Sequence, residues 1–223
     1  MLEIIDIAAK RRKRRIRGVN AAIAPGGNLM AWQTPVDEMT HPDEHSHVLL
    51  SDVRRDSPLD LGEGTAPVFL PGGTQLSFVR LDPATQEFDV VVYDVRTQRQ
   101  EVQHTRGVEF LRGVYDFSVS PDGSTRMLST DGGRYGTAVY WRMTSNGDWT
   151  LVENNLDPWG GWSRNGWLIY ATDGRDLRPL DASRTVWVGD IKLLDQRTGQ
   201  TRTVVSGISM NQQPHWCQAA ARK

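Results

Sequence analysis

At 223 residues the chain is long enough for one large all-β domain, and 26 lysines and arginines against 27 acidic residues leave a formal net charge of −1. That balance argues against a global nucleic-acid footprint. The single cysteine, Cys217, rules out an intrachain disulfide and a thiolate zinc cluster, and no run nears the roughly eighteen apolar residues of a membrane-spanning helix.

The N-terminus places its charges after the apolar residues 1–9, the reverse of a secretory signal, so a cytoplasmic location is expected. Residues 2–7 and 13–17 then read as two short strands. The first repeat follows, with strands at 20–24, 29–33 and 47–52 and a weaker one near 59–61. Its middle loop, 34–46, is the longest irregular stretch, and long loops on a rigid scaffold are candidate contact surfaces.

The second repeat is the cleanest. A strand at 66–70 turns at Pro71-Gly72-Gly73, residues 75–79 alternate polar and apolar, 88–94 is a β-branched run, and 100–104 closes the sheet. The third repeat has strands at 115–120, 125–130, 137–143 and 149–153. The fourth has them at 159–163, 167–172, 185–194 and 201–205, with a long polar insertion at 173–183 expected to be a loop. Residues 214–218 look like the first strand of a fifth repeat.

The repeats share one turn: Ala24-Pro25-Gly26-Gly27, Leu70-Pro71-Gly72-Gly73, Ser120-Pro121-Asp122-Gly123 and Ser163-Arg164-Asn165-Gly166. The turns recur about every 43–50 residues, the length of one four-stranded propeller blade. The expected fold is therefore an all-β, small β-propeller of about five blades, in which residues 1–17 and 208–223 share the closing blade. An open or four-bladed propeller is the alternative. A single domain over 1–223 is expected, with blades at about 18–64, 65–112, 113–155 and 156–207. Closure by both termini would remove exposed sheet edges. The eight tryptophans are expected to wedge between blades, Trp162 among them, because it takes the place of Val119 in the third repeat.

The Ser120-Pro121-Asp122-Gly123 turn after Phe117-Ser118-Val119 resembles the repeat of TolB-type propellers, the PD40 or WD40-like group. Val92-Tyr93-Asp94-Val95 and the run Leu193-Leu194-Asp195-Gln196-Arg197-Thr198-Gly199 resemble the third strand and turn of that repeat. Only the third turn is a full match; the first two carry Gly for Asp and the fourth carries Arg-Asn-Gly. The resemblance covers most of the chain and implies protein binding as the common role. The family also includes lid domains of larger peptidases.

Lys10, Arg11, Arg12, Lys13, Arg14 and Arg15, continued by Arg17, form the strongest local charge feature. Such a run can bind an anionic membrane or an acidic protein face, and no aromatic neighbours are present to stack on bases, so nucleic acid is not expected. As an edge strand the same charges would only block sheet-to-sheet association. His41, His45 and His47 with Asp43 and Glu44 could offer metal donors, but a solvated polar loop is the favoured reading, so no metal and no cofactor are expected. Cys217 beside His215 reads as structural. Nucleophile elbow, phosphate-loop and metalloprotease motifs are missing from the sequence. The expected function is a non-catalytic protein-interaction module, a peripheral scaffold subunit of a larger assembly, and not an enzyme. The alternative is a glycan or ester hydrolase with a central-channel site, which requires carboxylates on the first strands of several blades.

Overall fold

The computed structural model describes residues 1–6, 10–36, 45–55, 57–82, 84–85, 87–108, 113–131, 138–143, 146–156, 160–172, 176–181 and 184–209. They form antiparallel strands and turns, with no helix among them. Two compact units divide the chain, Met1–Arg106 and Gly107–Lys223.

The first unit opens with a two-stranded sheet, β1 (Leu2–Asp6) and β2 (Arg11–Ile16). A sheet of β3 (Val19–Ile23), β4 (Leu29–Gln33), β5 (His47–Asp52) and β6 (Leu59–Glu63) follows. The next is β7 (Thr65–Phe69), β8 (Gln75–Leu81), β9 (Phe88–Asp94) and β10 (Arg99–Gln103). The second unit holds β11 (Val114–Val119), β12 (Arg126–Asp131), β13 (Ala138–Met143) and β14 (Trp149–Leu156). Its other sheet contains β15 (Gly161–Trp162), β16 (Trp167–Ala171), β17 (Asp176–Asp181), β18 (Arg184–Asp195) and β19 (Thr201–Ser209). In the first three of these larger sheets each strand pairs with the next in sequence, the up-and-down order of propeller blades. The strand expected at 214–218, which would begin the closing blade, lies outside the described residues, as do Cys217 and His215.

The recurrent turn has one geometry throughout. The N–H of Gly27, Gly73, Gly123 and Gly166 donates to the carbonyl three residues earlier, at 2.8 to 3.1 Å. Each of these glycines has φ between 69° and 81°, the left-handed region that glycine enters at least cost. A second turn recurs at the end of the third strand, where Asp52, Asp94 and Asp195 accept a backbone N–H two residues on through Oδ1. This Asx geometry explains the aspartate of the Tyr-Asp and Leu-Asp pairs.

The middle strands of the sheets are buried on both faces, with Leu76, Ser77, Phe78 and Val79 of β8 and Phe88, Asp89, Val90 and Val91 of β9 all buried, while edge strands such as β3 and β10 stay largely exposed. In the first unit Val48, Leu76, Phe78 and Val91 sit at most 1% exposed in one cluster with Ala31, Leu50 and Tyr93, and Phe69 closes it. Full burial of side chains this size contributes about 1.5–3 kcal/mol each. Trp32, with Met30 and Ile16, joins the first larger sheet to Leu2 and Ile4 of β1, so this tryptophan does wedge between sheets. In the second unit Leu168, Tyr170 and Leu194 pack with Met127 and Tyr140. Trp162 packs on the same cluster and donates from Nε1 to Ser118 Oγ at 3.2 Å, tying β15 to β11. Trp162 is therefore half-buried against the core of this unit, as its place in the repeat suggests.

A glycine stands before the first strand of every larger sheet: Gly18, Gly64, Gly113 and Gly160. A Cβ at Gly18 would lie 2.4 Å from Trp32 Cδ1, and one at Gly64 would lie 2.5 Å from Phe78 Cδ2. At Gly160 it would meet Tyr140 Oη at 2.8 Å, whereas Gly113 has open space.

The insertion at 173–183 is not a loop throughout. β17 pairs with β18 over Asp176↔Val188 to Asp181↔Arg184, along the same edge of β18 that β16 occupies further on. The physical reason is the β-branched run Thr185, Val186 and Val188, which prolongs β18 beyond β16 and supplies a partner ladder. Pro179 is tolerated because β17 pairs on one side.

Candidate functional site

The first strand of a blade carries local distortion. Asn20 and Ala66, each second in its strand, have φ of 47° and 51°, and the register shifts there in β3, β7 and β11. Such bulges are designed features that re-aim side chains. In the first unit they converge on Gln33. Its Oε1 accepts from Asn20 Nδ2 at 3.0 Å, from Thr65 Oγ1 at 2.6 Å and from the Ala66 N–H at 3.3 Å, while its Nε2 donates to Ser46 Oγ at 2.8 Å. One amide thus joins two neighbouring sheets.

In β11 the shifted position presents Asp116, a half-buried carboxylate whose pKa is pushed up to about 6 by desolvation, against a lowering hydrogen bond from the Phe117 N–H. Among the described residues of the first strands of the four larger sheets, Asp116 is the one carboxylate. The several-blade carboxylate set that a glycan hydrolase would need is not found there.

The basic run occupies β2 and its flanks. Arg15 Nε pairs with Glu3 at 2.8 Å and Arg14 donates to the Arg55 carbonyl, so these two are engaged within the first unit. Lys10 and Arg17 are exposed; the side chains of Arg11, Arg12 and Lys13 are not among those described. Of the histidine loop, His41, Asp43 and Glu44 lie outside the described residues. His45 is exposed, and His47 Nδ1 lies 2.9 Å from Asp60 Oδ2 across β5 and β6.

A cluster that the sequence reading missed lies at one end of the second larger sheet. Asp82, just after β8, Asp89 in β9 and His104, just after β10, place one donor atom each within 4.8 Å of one another. Asp89 Oδ1 lies 3.0 Å from His104 Nδ1, and Arg80 Nη2 is 3.5 Å from Asp89 Oδ2. The pairing Gln103↔Val90, continued by one residue, brings His104 opposite Asp89. The available signal was Asp89 itself, a charge inside an otherwise apolar strand.

The sheet order, the repeated turns and the solved structures it resembles make this chain a β-propeller. It is similar to the β-propeller domain of the Trilobed protease from Pyrococcus furiosus, described as having an open velcro topology, with a TM-score of 0.56 and 13% identity over 86% of this chain and 58% of that one. An acylaminoacyl peptidase in complex with Z-Gly-Gly-Phe-chloromethyl ketone matches with a TM-score of 0.59 and 14% identity, over 86% of this chain and 33% of that one. The Pyrococcus horikoshii acylaminoacyl peptidase gives 0.56 and 14%, over 86% and 32%. The chain thus spans about a third to three fifths of the length of these structures. No protein-family model matches the sequence, and no curated protein matches it.

These comparisons correct the functional expectation. A non-catalytic scaffold module docking through its basic run is not what the similar structures are; one is the β-propeller domain of a protease and the others are acylaminoacyl peptidases.

Proposed function

We propose that this chain serves as the propeller of a peptide-hydrolysing enzyme, the part that admits or selects the peptide, with catalysis carried by a separate part of that enzyme. The observation that carries the reading is the match of 86% of the chain to the β-propeller domain of a protease and to acylaminoacyl peptidases, at TM-scores of 0.56 to 0.59. The TolB-like repeat supports it, since that group includes lids of larger peptidases. The sequence itself contains no nucleophile elbow and no metalloprotease helix motif, which fits a selecting role.

The test is to recover the protein from its native source with an antibody to this chain and assay cleavage of N-blocked peptide amides. The expected result is peptidase activity that follows the chain through two unlike columns and is blocked by a peptidyl chloromethyl ketone. Activity that separates cleanly from the folded chain, or none at all, would remove the reading.

A further inference from the structure

We propose that Asp82, Asp89 and His104 form a binding site for one divalent transition-metal ion, with Zn²⁺ the best fit. The side chain of Asp89 is 3% exposed, and a buried carboxylate requires close compensation. The compensation present is thin: Arg80 stands at 3.5 Å, well beyond the roughly 2.7–2.9 Å of a strong charge-assisted bond. The other oxygen faces a histidine whose side chain is 76% exposed.

A polar clamp five residues before the aspartate that ends the strand recurs in two other sheets. His47, five residues before Asp52, meets Asp60 of β6; Asp190, five before Asp195, accepts from the Gly207 N–H of β19 at 3.3 Å. A clamp alone would explain Asp89 and His104. Asp82 is what sets the second larger sheet apart, because it adds a third donor from the end of the second strand. That carboxylate is already oriented, since its Oδ1 accepts the Ala84 N–H at 2.9 Å in an Asx turn.

The geometry suits the ion. Two ligands each about 2.0–2.1 Å from a tetrahedral Zn²⁺ stand about 3.3 Å apart, and the Asp89 to His104 separation is 3.0 Å. An imidazole with two carboxylates favours zinc over magnesium or calcium, which prefer all-oxygen shells. Arg80 can remain on Asp89 Oδ2 while the ion takes Oδ1. Three protein ligands leave the fourth position to solvent on the exposed His104 side.

The experiment is titration of metal-free full-length chain with ZnCl₂ by calorimetry and by thermal shift, in parallel with H104A, D82N and H45A. Expected are one Zn²⁺ per chain, a rise in Tm with Zn²⁺, a loss of affinity of at least about tenfold in H104A and in D82N, and unchanged binding in H45A. Circular dichroism of H104A and D82N without metal checks that they fold. No zinc binding by the wild type would overturn the proposal. So would binding retained in both H104A and D82N, binding lost in H45A, or calcium or magnesium binding as tightly as zinc. Calorimetry reads the site whether or not the chain belongs to a peptidase.

Discussion

Asp116→Asn should stabilise the second unit at neutral pH and lose that advantage in acid. Asp116 has its carboxyl raised from 3.8 to about 6 by burial in the bulge of β11. The folded state therefore holds its proton to higher pH than the unfolded chain does. Relative to the protonated form, the folded state is penalised as pH rises through the interval from 3.8 to about 6, and the full penalty stands above it. At 1.36 kcal/mol per pH unit that interval corresponds to about 3 kcal/mol. Solvent screening of a half-buried group lowers the usable figure to about 1–2 kcal/mol. Asparagine keeps the shape and the acceptor for the Phe117 N–H without the charge. Thermal unfolding followed by tryptophan fluorescence should give a Tm for the variant about 2–8 °C above wild type at pH 8, with most of the gap gone at pH 4.5. A gap independent of pH, or a variant less stable at pH 8 than at pH 4.5 relative to wild type, would refute the assignment of Asp116 as a desolvated acid.

Gly64→Ala should destabilise the first unit by about 2–4 kcal/mol in urea unfolding, because its Cβ would stand 2.5 Å and 2.7 Å from the buried Phe78 ring and 3.1 Å from the Val79 carbonyl; Gly113→Ala, with open space, should change stability by less than about 1 kcal/mol. Asp122 accepts from Ser120 Oγ, Ser124 N, Ser124 Oγ and Gln196 Nε2, and these bonds hold its carboxyl down at about 2. Its contribution is present above pH 3.8 and is lost as pH falls towards 2, so Asp122→Ala should lower Tm at pH 7 and converge on wild type near pH 2.

Much of the architecture was readable because it depends on local chemistry. Residues 29–33, 47–52 and 88–94 were bounded correctly from alternation and flanking turn residues, and Gly27, Gly73, Gly123 and Gly166 mark turns whose backbone demands them. β17 was not readable, since Leu177 and Pro179 do not look like a strand until the long β18 provides the ladder. The clusters were harder still. Asp82, Asp89 and His104 are separated by 7 and 15 positions in the chain, and the strand register that unites them cannot be counted from one sequence. The basic run was conspicuous as a string, but the partners of Arg15 and Arg14, Glu3 and the Arg55 carbonyl, could not be read from it.

The joints of the first unit are short. Only Arg17 and Gly18 separate β2 from β3, and Gly64 alone separates β6 from β7, with its N–H fixed to the Ser46 carbonyl at 2.8 Å. Chain at these points has no slack, so an added residue there would have to displace a whole sheet against its neighbour. Length variation has to be taken up inside a hairpin, between β4 and β5 for example, where residues could be added without rewriting the spacing of the sheets.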